Sequence, residues 1–220
     1  MKQTQPTRII LADDHIAVRD ALAISINMSP YFQVVGKAAN GIELLEIMKT
    51  SELPDIILLD LQMPLMDGFE VASYFQQRYP SIKILIFTMY NSEITLLRLL
   101  QMGVRGFLKK DISTTELEIA LQTVAGEGYY YSNEATGKLG VMLYNAKKDK
   151  TSIDKTLPTE TEIEFLKLAS TDMTYKEIAM VMNSSPRAVD TCRDTLFGKL
   201  NVKSRVGLAI FAIRNGIVEI

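Results

Sequence analysis

The chain has no tryptophan, one cysteine and one histidine among 220 residues, and these scarcities remove several functions at once. A single thiol, Cys192, cannot close an internal disulfide and fits a reducing compartment. One histidine and one cysteine cannot furnish the clustered nitrogen and sulfur ligands of a zinc site. Long apolar runs are missing as well. No stretch approaches the ~18 uncharged apolar residues that span a bilayer, so no membrane association is expected. The opening MKQTQPTRIILADDH reaches acidic residues before any apolar h-region forms, so no signal peptide is expected and a cytoplasmic location follows. Excess positive charge is also absent. Residues 1–127 carry 11 Lys+Arg against 15 Asp+Glu, residues 128–156 carry 5 against 3, and residues 157–220 carry 8 against 8. No segment has the strongly basic footprint of a typical nucleic-acid module.

What is present changes character along the chain. The first half alternates β-branched runs with amphipathic stretches. Strands are expected over Arg8–Ala12, Phe32–Ala38, Asp55–Leu59, Lys83–Thr88 and Gly106–Leu108. Helices are expected over His15–Met28, Ile42–Thr50, Phe69–Tyr79, Ser92–Gln101 and Thr114–Ala125. Five βα units in succession predict a parallel sheet covered by helices on both faces. The unalternating run Ile56-Ile57-Leu58-Leu59 reads as a strand buried on both sides. Tyr129-Tyr130-Tyr131 is expected to pack on the sheet edge or the linker rather than to stack on bases. A short helix is expected over Glu134–Asn145, then a Lys/Asp/Ser/Thr-rich linker over Ala146–Thr156. From Thr159 onward strand signals vanish and four helices fit: Glu160–Ser170, Tyr175–Met182, Pro186–Leu200 and Ser204–Asn215.

The acidic residues fall where an open parallel sheet binds ligands, beyond the carboxyl ends of its strands. Asp13 and Asp14 follow the first strand and Asp60 the third, which a 2-1-3-4-5 strand order makes neighbours. Carboxylates crowded there repel unless a cation or protons intervene. Oxygen-only ligands suit a hard octahedral ion such as Mg²⁺. Thr88 ends the fourth strand with a hydroxyl, and Lys109-Lys110 follow the fifth. A metal, a carboxylate nucleophile, a hydroxyl and an ammonium together suit phosphoryl transfer, with the carboxylate accepting the group. Each piece alone is more often a cap or a solvated charge; the ordered set on four strand ends is not. His15 beside the acidic pair reads as a helix-start surface residue. Gly68 is expected to supply a positive φ in the loop after Asp60.

Asp13-Asp14, the segment Asp60-Leu61-Gln62-Met63-Pro64-Leu65-Met66-Asp67-Gly68, Thr88 and Gly106-Phe107-Leu108-Lys109-Lys110-Asp111 resemble the receiver domain of two-component response regulators over roughly residues 7–127. The resemblance implies a flavodoxin-like doubly wound five-stranded sheet and a domain spanning 1–127. It implies Asp60 as phosphoacceptor for a cognate histidine kinase. Mg²⁺ would be held by Asp14, Asp60 and the Gln62 carbonyl, with Asp13 acting through water. Thr88 would bind a phosphoryl oxygen on activation, and Phe107 would fill the aromatic switch position. The family lysine falls four residues after the glycine, which selects Lys110 over Lys109.

In the second half, Ser185 is a natural N-cap and Pro186 suits a first helical position, where its missing N–H costs nothing. Tyr175–Met182 and Pro186–Leu200 thereby form a helix-turn-helix, whose second helix can enter a major groove. Thr159 through Leu166, Lys176-Glu177-Ile178-Ala179, Arg187-Ala188-Val189 and Lys199 through Arg205 resemble the LuxR-type effector. That resemblance covers about residues 158–216. With a linker over 128–157 and the effector over 158–220, the order of parts is similar to a NarL/FixJ-type response regulator. Double-stranded promoter DNA is the implied partner, met by Arg187, Asp190, Thr191, Arg193, Asp194, Lys199, Lys203 and Arg205. One departure stands out. Asp190 and Asp194 lie where family members often carry basic residues; aspartate cannot neutralise phosphate, though it can accept from cytosine N4. Cys192 reads as a packing residue.

Three functions compete: a phosphorylation-controlled transcription factor, a switch whose neutral helical domain binds protein, and a phosphatase of the same nucleophile class. The last is the weakest, because the chain at most transfers phosphate to and from Asp60 and is not otherwise an enzyme. A homodimer on activation is expected. In the final helix Val206, Ala209, Ile210, Ile213 and Ile217 are expected to face the core, leaving Leu208 and Phe211 for the two-fold contact.

Overall fold

β-Branched and apolar runs become strands here because both faces of the sheet are covered. The structure, a computed structural model, describes residues 5–50, 52–89, 92–132, 135–137, 139 and 157–218. The chain divides into two compact units, Met1–Asn91 with Leu96–Gly137, and Ser92–Thr95 with Lys138–Ile220.

Up to Gly126 the chain runs β1 (Thr7–Ala12), α1 (Ile16–Asn27), β2 (Phe32–Ala38), α2 (Gly41–Thr50), β3 (Ile56–Leu59), α3 (Gly68–Arg78), β4 (Lys83–Thr88), α4 (Glu93–Gln101), β5 (Gly106–Lys109) and α5 (Thr114–Gly126). Each of the ten elements falls within a residue or two of its expected span. With a sixth strand, β6 (Tyr130–Tyr131), the strand order is β2-β1-β3-β4-β5-β6, with every pairing parallel. All four residues of β3 are buried, as a central strand between two helical layers must be. Ile9, Leu11, Leu58, Leu85 and Leu108 form one core with Ala120, Leu121 and Val124 of α5. Caps set the helix starts. Asp67 and Glu70 close a reciprocal capping box at α3, and Ser113 accepts from the Glu116 N–H at α5, each satisfying a donor the helix cannot.

A sixth strand joins the five expected. β6 (Tyr130–Tyr131) pairs with Gly106 and Phe107 of β5, and the Tyr131 hydroxyl donates to the Val104 carbonyl at 2.9 Å. The tyrosine run therefore packs on the sheet edge by extending the hydrogen-bond ladder. Of the helix expected over Glu134–Asn145, residues 135–137 and 139 are helical; the rest of it and the Ala146–Thr156 linker lie outside the described residues.

The second unit holds α6 (Glu160–Ala169), α7 (Tyr175–Val181), α8 (Pro186–Lys199) and α9 (Arg205–Arg214). Thr159 with Glu162 and Thr174 with Glu177 form capping boxes, while Ser185 and Ser204 cap α8 and α9. Asn183, at φ 49°, turns the chain between α7 and α8, the left-handed conformation asparagine tolerates. Phe165, Leu166, Ile178, Val189, Leu196 and Ala212 make the core.

Here one expectation is overturned. Leu208 is fully buried and Phe211 packs against that core. Val206 and Ile210 instead are 66% and 46% exposed, although Ile217 is buried as expected. The final helix is apolar on two flanks, and its neighbours decide which one turns inward.

Candidate functional site

Two strand ends deliver the acidic side chains to one place. β1 and β3 are adjacent, so Asp13 and Asp60, each one residue past its strand, emerge side by side. The Asp60 N–H donates to the Ala12 carbonyl at 2.8 Å and the Asp13 N–H to the Ala38 carbonyl at 3.1 Å. Both carboxylates are almost wholly buried, at 3% and 4% exposure. Two strands over from β3, β5 supplies Lys110, whose backbone N–H is anchored on the Thr88 carbonyl. Its ammonium stands 2.7 Å from Asp13 Oδ2 and 2.7 Å from Asp60 Oδ2. The bond to Asp60 is a directed hydrogen bond, whereas Asp13 Oδ2 is held as an ion pair out of line for one.

Burial lifts the Asp60 pKa above the ordinary carboxylate range, and the Asp13 charge adds to that. The Lys110 ammonium and the Leu61 N–H, which donates to Oδ1 at 2.7 Å, only partly offset it. Burial works against the Lys110 ammonium too, but the two carboxylates outweigh it and its pKa is raised.

Asp14 completes the cluster at the exposed rim, and Thr88 ends β4, buried at 1% exposure. Ligand atoms of Asp13, Asp14, His15 and Asp60 lie within 4.8 Å of one another. Three carboxylates facing one ammonium leave negative charge in excess, with oxygen donors in the majority. A hard divalent cation such as Mg²⁺ fits that donor set. His15 is the surface residue expected: it sits at the N-cap of α1 without a side-chain capping bond. Its Nδ1 nonetheless reaches Asp14 Oδ1 at 2.8 Å and Asp13 Oδ1 at 3.3 Å.

Two residues escaped the sequence reading. Arg19 donates from Nη1 to the backbone carbonyl of Asp13 at 2.6 Å, so it steadies the strand end that carries Asp13. Leu65 rather than Gly68 takes the positive φ, at 69°, in a three-residue turn closed by the Met66 N–H on the Pro64 carbonyl. Gly68 is required for a different reason: a Cβ there would meet the Asp60 carbonyl oxygen at 2.2 Å. Close backbone approach, not φ, selects glycine. Phe107 is buried at 3%.

In the second unit, α7, the Asn183 turn and α8 form the helix-turn-helix. Arg187, Asp190, Thr191 and Asp194 share the exposed side of α8, opposite buried Val189 and Leu196. The expected DNA-contacting cations divide into two sets. Arg187 and Lys203 are exposed. Lys199 is bound to Glu162 at 2.7 Å, and Arg205 donates to the Ala169 and Thr171 carbonyls. Arg193 is gripped by Asp190 and Asp194, both at 2.8 Å, and lies 5.2 Å from the Tyr175 ring centre. Cys192 packs partly buried on the core, and burial pushes its thiol up to about 11. That is poor thiolate character for a redox sensor.

Residues 9–122 match the response regulator receiver domain, and residues 157–212 match the bacterial regulatory proteins of the luxR family. The oxygen regulatory protein NreC of Staphylococcus aureus (strain bovine RF122 / ET3-1) is 30% identical over 216 residues, covering 96% of this chain and 99% of that protein. The nitrate/nitrite response regulator protein NarL of Escherichia coli (strain K12) is 32% identical over 211 residues, covering 96% and 97%. RcsB from Salmonella enterica serovar Typhimurium, solved bound to promoter rprA in the presence of phosphomimetic BeF3-, shares the fold. Its TM-score is 0.67 at 22% identity, over 94% of this chain and 98% of that one. The chain therefore belongs to the two-component response regulators that join a receiver domain to a LuxR-type DNA-binding domain.

Proposed function

We propose that this chain is a transcription regulator switched by phosphorylation of Asp60, with the receiver over 1–127, a linker over 128–157 and the effector over 158–220. A cognate histidine kinase is the donor. An Asp60 carboxylate oxygen attacks the phosphorus, the phosphorus–nitrogen bond of the phosphohistidine breaks, and the imidazole nitrogen leaves with the electron pair. The observation that carries this reading is the Lys110 ammonium held between the two buried carboxylates, Asp13 and Asp60. It offsets charge on Asp60 beforehand and on a phosphoryl oxygen afterwards, the electrostatic part of phosphoryl transfer. Asp13, Asp14, Asp60 and the Gln62 carbonyl would hold Mg²⁺, which neutralises phosphoryl oxygens when bound. Thr88 would then donate to a phosphoryl oxygen and Phe107 follow it, which transmits the switch. Loss of the group from Asp60 is the only turnover expected. The protein is expected to act in the cytoplasm; no helix among the described residues is long and apolar enough to cross a membrane.

On the output side the exposed face of α8 would enter the major groove, with Arg187 and Lys203 on the phosphates, as a homodimer over two half-sites. A second reading, in which the helical domain binds a protein, is favoured by the commitment of Arg193, Lys199 and Arg205 to partners within the unit. The deciding experiment combines acyl phosphate, Mg²⁺ and a gel shift on genomic fragments. Acid-labile label should appear on the wild type only with Mg²⁺, be absent from Asp60→Asn, and accompany DNA retardation. Wild-type labelling of Asp60→Asn would sink the phosphoacceptor assignment, and labelling without retardation would favour the protein-binding reading.

A further inference from the structure

Helix α8 shows negative, not positive, charge where a groove-reading helix meets base edges. Asp190 and Asp194 have side chains 52% and 66% exposed, and they stand one helical turn apart on the side opposite the buried Val189 and Leu196. Each gives only its Oδ1 to Arg193: Nη1 donates to Asp190 and Nε to Asp194. Both Oδ2 atoms are left without a hydrogen-bond partner among the described residues. Arg193 itself is turned back over Tyr175, which also carries Arg205 at 5.4 Å and stacks on Phe165 at 6.1 Å. The guanidinium thus works as a brace. It fixes two exposed carboxylates on an aromatic support and leaves the Oδ2 of each uncommitted to Arg193. Thr191, between them, spends its hydroxyl on the Arg187 carbonyl.

We propose that Asp190 and Asp194 are specificity-determining residues that accept hydrogen bonds from exocyclic amino groups on the major-groove edge, above all cytosine N4. The proposal rests on the reading of this domain as a DNA binder. Cytosine N4 and adenine N6 are the donors that edge offers; guanine O6 and N7 and thymine O4 are acceptors and repel a carboxylate. Residues four apart on a helix are separated by about 6 Å, close to two base-pair steps of roughly 3.4 Å. Two amino-bearing bases about two positions apart therefore mark each half-site. Carboxylates also repel phosphate, so non-specific binding is weak and discrimination comes from the bases. Because Arg193 holds both side chains in place, little side-chain freedom is lost on contact.

The test selects bound duplexes from a randomised pool with the full chain treated with acyl phosphate and Mg²⁺. Wild type, Asp190→Asn, Asp194→Asn and Arg193→Gln are compared, with folding checked by circular dichroism. Wild type should enrich cytosine at fixed half-site positions. Each Asn variant should change one of them to adenine, which asparagine reads through N6 and N7, and lose about tenfold on the wild-type site. Its binding to random DNA should tighten, since one charge that repels phosphate is gone. Arg193→Gln should keep the cytosine preference at lower affinity. The same enriched sequence from wild type and both Asn variants overturns the proposal. So does an Arg193→Gln motif matching those of the Asn variants, which would make the aspartates mere holders of Arg193. No enrichment by any chain that still takes up phosphate overturns the DNA reading itself.

Discussion

Lys110 Nζ stands 2.7 Å from Asp60 Oδ2, to which it donates, and at the same distance from Asp13 Oδ2, with which it forms an ion pair. The proposed phosphoacceptor therefore has only part of a counter-ion, and its burial outweighs that part. An acid whose folded pKa is raised costs stability when ionised. The cost is complete above the folded value and disappears as pH falls through it toward the ordinary carboxylate range. Asp60→Asn should accordingly stabilise the first unit by about 1 kcal/mol at neutral pH, the scale of a stabilising change at a functional position. Urea melts at neutral pH and below pH 4 measure it. An advantage that is as large in acid as at neutrality would dissociate it from the Asp60 charge.

Replacing the shared cation acts in the opposite direction. Lys110→Ala leaves two buried carboxylates facing each other, which should lower stability by about 3 kcal/mol and uncouple phosphorylation from DNA binding. Lys109→Ala should do less on both counts, because it is Lys110 whose ammonium lies between Asp13 and Asp60. Greater damage from Lys109→Ala in a phosphorylation-dependent binding assay would reverse the assignment.

Gly68 gives a steric prediction. A methyl at this position collides with the Asp60 carbonyl and the Leu61 Cα, both backbone atoms that cannot rotate away. Gly68→Ala should cost about 2 kcal/mol, as overpacking does, and slow acyl-phosphate labelling because the strand end bearing Asp60 must shift. Gly126→Ala, where a Cβ meets nothing within 4 Å, is the control and should leave labelling unchanged.

These sites show which features a single sequence makes legible. The ten receiver elements and four effector helices could be read because hydrophobic period acts locally, as does a capping residue such as Ser185. The acidic site could be read because strand ends are local too, and strand order brings them together. What escaped depends on partners distant in the chain. Gly68 is glycine because of Asp60's backbone, and Tyr130-Tyr131 is a strand only because Gly106 leaves room beside it: a Cβ there would lie 2.7 Å from the Tyr130 carbonyl oxygen. The commitment of Lys199 to Glu162, 37 positions away, has no local signature. It turned a cation expected for DNA into part of the second unit's own frame.

That pair makes a pH prediction of its own. Burial tends to raise the Glu162 pKa, but the Lys199 ammonium and the Thr159 N–H, which donates to the carboxylate at 2.7 Å, hold it below the ordinary glutamate range. The stability it brings is complete above the ordinary glutamate pKa and is lost as pH falls through the lower folded value. Glu162→Gln should cost about 2 kcal/mol at neutral pH, typical of a hydrogen bond to a charged partner, and progressively less below pH 4. A pH-independent cost would show that packing, not charge, holds Lys199 there.

The last prediction transfers the dimer contact from one flank of α9 to the other. Leu208 is fully buried among Phe165, Leu196 and Ala212, so Leu208→Glu places a charge in the core and should unfold the effector rather than separate a dimer. Val206 and Ile210, four residues apart, lie 66% and 46% exposed on a flank bordered by the half-buried Ala209 and Ile213. Residues at this spacing form one apolar stripe, and a stripe on the last helix can be shared between copies across a two-fold axis. Such a contact is small. It should be silent in the unphosphorylated chain and gain force only when receiver pairing raises the effective concentration of the second effector. Val206→Glu and Ile210→Glu should therefore retain wild-type helicity and wild-type binding to a single half-site, while losing tenfold or more on a fragment carrying two, as about 1.4 kcal/mol of lost contact requires. Sedimentation of the phosphorylated variants should show the matching loss of dimer. If both bind the two-half-site fragment as wild type does, the flank is only exposed apolar surface, and pairing resides in the receiver alone.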